Sequence, residues 1–112
     1  MTRQEYMRAW YQKNKKRHLE VVAARRRQIT KTNNEFYKEY LLTHACVDCG
    51  ETDPLTLEFD HLTTKFSEVS HMIAGGYSLQ AIKREIAKCE VVCANCHSRR
   101  THKRTNSKRL TW

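Results

Sequence analysis

Cys46-x-x-Cys49 and Cys93-x-x-Cys96 place two pairs of thiols at a spacing that tetrahedral Zn²⁺ accepts. The 43 residues between Cys49 and Cys93 mean that a strand, a loop and a helix must lie inside the loop the metal closes. Four protein ligands leave no open position, so this zinc is structural. It ties the loop before the strand to the start of the last helix. Two further features acquire meaning from that tie. Asp60-His61 ends the strand, and His97 directly follows Cys96. Clamping the cysteine pairs together brings a carboxylate and two imidazoles into one region, a mixed oxygen and nitrogen site for a divalent cation.

The elements that must position these groups can be read along the chain. Residues 3–30 hold neither Pro nor Gly and read as a helix. Its apolar stripe (Tyr6, Met7, Trp10, Tyr11, then Leu19, Val21, Val22) is interrupted by "NKKRH", which predicts long exposed basic faces. Trp10 and Tyr11 either pack on the core, the expected outcome, or stack at a nucleic-acid contact. Thr32-x-x-Glu35 is a capping-box pattern that predicts a second helix through about Leu42, with Phe36, Tyr37, Tyr40 and Leu41 on its apolar face. "CVDCGETDP" reads as a loop. In "LTLEFDH" Leu55, Leu57 and Phe59 alternate with Thr56 and Glu58, predicting a short strand. Neighbours on an ideal strand point to opposite faces, so a shared role for Asp60 and His61 requires that the strand has given way to loop there. Residues 62–77 read mostly as loop, with one helical turn near Val69 to Ile73. Ser78 can cap a helix whose apolar face is Leu79, Ile82 and Ile86. "CEVVC" predicts a second short strand, and the last helix begins at the second cysteine pair.

A chain of 112 residues supports one domain with a small core, the size at which a metal or disulfide often supplies stability. Nothing resembles a membrane span or a secretory signal. A cytosolic location is therefore expected, where five cysteines point to metal binding before disulfides. The net charge of +9 is unevenly placed: +7 over residues 1–45, −4 over 46–96 and +6 over 97–112. Basic arms around an acidic centre suit a polyanion gripped from both sides, with carboxylates in the middle for a hard cation. Arg25, Arg26 and Arg27 in the first arm are expected at phosphates, as are Arg99, Arg100, His102, Lys103 and Arg104 in the last. Such contacts give affinity and salt dependence with little sequence choice.

The run "CVDCG…LEFDHL…KFSEVSHMIAGGYSLQAIKREIAKCEVVCANCHSRRTH" resembles the HNH endonucleases that carry a four-cysteine zinc, especially small phage and prophage members. The resemblance covers about residues 46–102. It implies an α+β fold: a ββα-metal core over residues 46–104, preceded by a basic helical extension (1–45) and followed by a basic tail (105–112). It further implies a metal-dependent DNA endonuclease that leaves a 3′-hydroxyl and a 5′-phosphate. In that family role Asp60 is a metal ligand, His97 the second ligand and His61 the general base. Mg²⁺ or Mn²⁺ suits the catalytic position, with Ni²⁺ or Zn²⁺ as alternatives. Double-stranded DNA is the implied partner, with phage packaging proteins as further candidates, and the bacterial host cytoplasm the implied place of action.

The family's middle asparagine falls here near Lys88 and Cys89. Asn95 lies inside the second cysteine knuckle, where it either orients the His61 loop or only satisfies the turn. His102, five residues past His97, lies about 140° around a helix and reads as a phosphate contact or surface residue, with metal ligation as the lesser alternative. His71 lies in the loop between the strands and reads as a surface residue, with a DNA contact as the alternative. His44 either supports the zinc site or simply packs, and Cys89 reads as a small buried hydrophobe. The rival class is a zinc-stabilised nucleic-acid-binding module without catalysis, which explains the charge and the cysteines but gives Asp60, His61 and His97 no purpose. A protein-binding zinc adaptor leaves the basic arms unexplained, and a redox role is disfavoured because its thiolates are committed to metal.

Overall fold

One helix carries the first third of the chain. In a computed structural model, which describes residues 1–105, α1 runs unbroken from Arg3 to Thr43. The expected break near residue 30 is absent. Thr32 caps nothing; its hydroxyl donates back to the Gln28 carbonyl at 3.0 Å, a bond open to a threonine inside a helix that no Pro or Gly interrupts. The capping box lies instead at the start. Thr2 Oγ1 accepts from the Glu5 N–H at 3.1 Å while a Glu5 carboxylate oxygen accepts from the Thr2 N–H at 3.2 Å.

Only the C-terminal third of α1 is seated on the core. Phe36, Tyr37, Tyr40 and buried Leu41 pack there, and buried Asn33 donates to the Tyr77 carbonyl at 2.9 Å. Before Thr30 the helix is exposed at every position but half-buried Asn14. Trp10 and Tyr11 thus stand on the projecting part, their rings edge-on to His18, and not in the core as expected. The polar interruption of the stripe leaves too little contiguous apolar surface to seat that segment.

The rest builds a two-stranded antiparallel sheet with helices on both faces. Strand β1 (Leu57–His61) pairs with β2 (Cys89–Cys93) so that Asp60 faces Glu90 and His61 faces Cys89. Leu55 lies in the preceding turn, almost fully exposed, so the strand begins later than its alternation predicts. Between the strands come α2 (Val69–Ala74) and α3 (Leu79–Ile86), the latter capped as expected by Ser78, whose Oγ accepts from the Ala81 N–H at 3.2 Å. Helix α4 (Ala94–Thr105) leaves directly from β2 and folds back over the sheet. The core gathers Leu57, Phe59, Val69, Met72, Ile73, Ile82, Ile86, Val91 and Val92. Tyr37 and Tyr40 both stand against Phe59. The architecture is α+β with a small sheet and a four-cysteine cluster. Among the described residues no helix is long and apolar enough to cross a membrane. Of the expected tail, residues 106–112 lie outside the described residues.

Pairing continues through His61, and the Leu62 N–H still donates to the Lys88 carbonyl at 2.8 Å. Asp60 and His61 therefore occupy regular strand, against the expectation that they lie beyond it, and their side chains leave opposite faces of the sheet.

Candidate functional site

The two cysteine knuckles meet. The first is a turn after α1, held by the Gly50 N–H donating to the Cys46 carbonyl at 2.9 Å, with Gly50 at φ +81°, a conformation open to glycine. The second spans the end of β2 and the first turn of α4. The Val47 N–H donates to the Val91 carbonyl at 3.0 Å and docks the first knuckle on the strand that leads into the second. All four Sγ atoms lie within 4.8 Å of one another, and Cys49 and Cys93 are 3.6 Å apart. That exceeds the ~2.05 Å of a disulfide and is close to the ~3.8 Å between ligands in a tetrahedron with ~2.3 Å metal–sulfur bonds. The four cysteines are thus positioned to hold a metal ion. Burial pushes the Cys46 thiol up, but backbone hydrogen bonds at Cys93, Cys49 and Asp48 outweigh it and bring the group down to about 6. The neighbouring Cys93 thiol, then burial, pushes Cys96 up to about 12.

On the sheet face beneath α4, Glu58 and Asp60 stand two residues apart and frame His97. One Glu58 carboxylate oxygen lies 2.5 Å from His97 Nδ1, and an Asp60 oxygen lies 3.5 Å from Nε2. Because an ionised carboxylate only accepts, the Glu58 contact puts a proton on Nδ1, and a neutral ring then turns the Nε2 lone pair toward Asp60. A carboxylate–histidine pair facing a second carboxylate is the donor set of many metal sites. The 3.5 Å gap is one that two bonds of ~2.1 Å to one cation span. A cleft of about 420 Å³ opens on one side of this pair, lined by Glu58, His97, Ser98, Thr101 and His102 among others. A second, of about 250 Å³, opens on the other between Glu58, His97, Tyr37 and Glu68.

Asp60 is also held by arginines. Arg104 binds both its oxygens, at 2.7 and 2.6 Å, and Arg100 Nη1 reaches it at 2.8 Å. The Arg104 hydrogen bonds outweigh burial, and with Arg100 they keep this almost fully buried carboxyl down at about 2. Arg100 further makes a two-pronged pair with Asp48, at 2.7 Å on each prong, and touches Glu90 at 3.3 Å. One guanidinium thus pins α4 to the first knuckle and to both strands.

His61 leaves the opposite face. Its Nε2 lies 2.9 Å from Glu85 of α3. Glu85 is buried, and the same oxygen accepts from the backbone N–H groups of Phe66 at 2.9 Å and Ser67 at 3.4 Å. Its other oxygen accepts from Lys88 Nζ at 2.8 Å. Burial pushes this carboxyl up, but Lys88, the two amides and His61 together hold it at about 2.

The structure therefore brings Asp60 and His97 together and sets His61 apart from them. Asn95 is exposed on the first turn of α4, and the partner of His61 is Glu85. His102 is half-buried on the His97 cleft, with Nδ1 buried and without a hydrogen-bond partner among the described residues. Arg99 Nη1 lies 3.6 Å from Cys96 Sγ, and Lys103 is exposed. Arg25 and Arg27 are exposed on α1, whereas Arg26 reaches the Ala74 carbonyl at 3.4 Å. His44 stacks on Tyr40 at 3.8 Å and bonds its carbonyl, the packing role. His71 is exposed. Cys89 donates to the Glu85 carbonyl at 3.3 Å, and burial raises its thiol to about 11.

Sequence reasoning missed Glu58 and Glu85. Glu58 was legible as the residue two before Asp60, hence on its face. Glu85 announced itself only as an acid on the apolar stripe of α3, beside Ile82 and Ile86. No family model, no curated protein and no solved structure matches this chain.

Proposed function

We propose that the protein is a metal-dependent DNA endonuclease of the HNH kind, with zinc on Cys46, Cys49, Cys93 and Cys96 as its structural staple. The observation that carries this reading is the Glu58–His97–Asp60 array, whose imidazole and buried carboxylate are 3.5 Å apart beneath a basic helix. Asp60 and His97 would hold a divalent cation such as Mg²⁺ or Mn²⁺, which supplies charge to a phosphate oxygen and to the leaving oxygen. His61 is the base. Its Nδ1 takes a proton from water, the water oxygen bonds to phosphorus, and the bond from phosphorus to the 3′ oxygen breaks. The products are a 5′-phosphate and, after protonation from solvent, a 3′-hydroxyl. Since His61 and Asp60 leave opposite faces, the phosphate must lie across the end of the sheet, where β1 stops. The exposed basic face of α1 and Arg99 and Lys103 of α4 supply sequence-independent phosphate contacts. Double-stranded DNA is the proposed partner.

A second reading has its own observation. Arg104 and Arg100 already occupy Asp60, so the same cluster serves as an ion-pair lock in a zinc-stabilised DNA-binding module without catalysis.

Supercoiled plasmid incubated with the protein and EDTA, Mg²⁺, Mn²⁺ or Ni²⁺, beside His61→Ala, decides between the two. Metal-dependent nicking, lost in a variant that still binds DNA and zinc, supports the nuclease. Binding without cleavage under every metal leaves the binding module.

A further inference from the structure

His61 differs from the other histidines in how completely one nitrogen is committed. Its ring is 9% exposed, and its contact is with a carboxylate that is itself buried and four-fold bonded. A lone buried carboxylate is costly, and Lys88 on Oε1 with two backbone amides on Oε2 already satisfies this one. The His61 contact is therefore more than repair of a buried charge. The same oxygen that fixes the imidazole also fixes the backbone at Phe66 and Ser67, so the loop leaving β1 and the ring at its end are held by one atom. An ionised carboxylate has no proton to give, so the nitrogen facing it must carry the hydrogen.

We propose that Glu85 is the positioning residue of His61: it binds the Nε2–H, fixes the ring against the 62–67 loop, and leaves Nδ1 as the lone-pair nitrogen. This is the orienting task sought above in Asn95, carried out by a side chain from a different element. Its catalytic consequence rests on the nuclease reading, whereas its tautomer consequence does not.

The test is ¹⁵N-resolved imidazole spectroscopy of the zinc-loaded full chain at a pH where His61 is neutral, for wild type, Glu85→Gln and Glu85→Leu. Wild type shows one His61 tautomer, Nε2–H. Glu85→Gln keeps an oxygen at the same place while Lys88, partly exposed, swings to solvent, so it retains that tautomer. Glu85→Leu removes the acceptor and yields a mixture of tautomers. Plasmid nicking falls by about 10- to 100-fold in Glu85→Leu with KM unchanged, and Glu85→Gln restores most of it. An Nδ1–H tautomer in wild type overturns the proposal, as does a wild-type tautomer in Glu85→Leu. Should Glu85→Leu fail to fold, the wild-type spectrum still decides. Should wild type cleave nothing, the nuclease reading falls while the spectra continue to judge Glu85.

Discussion

Arg104 grips both oxygens of Asp60, at 2.7 and 2.6 Å, on the carboxylate that also stands 3.5 Å from His97. A cation at Asp60 and His97 and the Arg104 guanidinium therefore compete for the same lone pairs. Arg104→Ala is expected to tighten divalent-ion binding about tenfold, the equivalent of ~1.4 kcal/mol for one charge-assisted pair. Mn²⁺ titration of the zinc-loaded protein measures this. Unchanged affinity would sink the idea that Asp60 serves the cation.

Asp60→Ala removes the carboxylate and leaves two guanidiniums facing each other beneath α4. A loss of about 2 kcal/mol in unfolding free energy is expected, the worth of charge-assisted hydrogen bonds to one buried carboxylate, because Arg100 keeps Asp48 and Glu90 and Arg104 is half exposed. Urea unfolding gives the value. A change under 1 kcal/mol would mean that the arginines simply turn to solvent.

The four-cysteine cluster is expected to bind one metal ion per chain and to be required for the folded core. Apparent binding free energies of structural zinc, ~10–16 kcal/mol, match or exceed the whole stability of most domains, ~5–15 kcal/mol. Cys46→Ser, or a strong chelator, should therefore abolish the cooperative unfolding transition in calorimetry. Elemental analysis without metal, beside an unaltered melt, contradicts this.

Glu85 and Asp60 set the acid limb of stability. Both carboxyls are held at about 2, below their usual ~4.3 and ~3.9. A carboxyl depressed on folding stabilises fully above its unfolded value, and that contribution is lost as pH falls through the folded one. The difference in stability between wild type and Glu85→Gln should therefore shrink between pH ~4.5 and ~2. Acid release of the metal affects both proteins, so the difference isolates the carboxylate. A difference independent of pH over this window would contradict the assignment.

Arg25 and Arg27 project from the unseated part of α1, free of the Ala74 contact that Arg26 makes. Replacing both by Ala is expected to lower the slope of log K against log salt for duplex DNA by about 1.8, at ~0.9 per phosphate. Fluorescence titration across a salt series reads it. An unaltered slope would remove α1 from the interface.

What the sequence made legible here was chemistry with short spacing. The cysteine pairs, the Ser78 cap and the second strand are local patterns, and each lies where its pattern puts it, while the first strand starts two residues later than its alternation predicts. The unbroken α1 was misread because Thr32-x-x-Glu35 and Thr2-x-x-Glu5 carry the same signature, and only the chain outside the helix separates a cap from an interior threonine. The split between Asp60 and His61 depended on how far β2 extends, which the 57–61 segment does not encode. Glu85 and Arg100 act on partners 24 and 52 residues away, His61 and Asp48, beyond the reach of periodicity.

The seating of α1 by its last third alone also sets how the molecule tumbles. The Cα radius of gyration is 20.6 Å, with extents of 72 × 31 × 22 Å, whereas a rounded chain of this length has a radius of about 13 Å. Such a rod-like particle drags more solvent than its 13.3 kDa implies. A single copy should leave a sizing column early, at the elution volume of a heavier globular standard. Its mass has to be read by sedimentation equilibrium or light scattering, which weigh the particle whatever its shape.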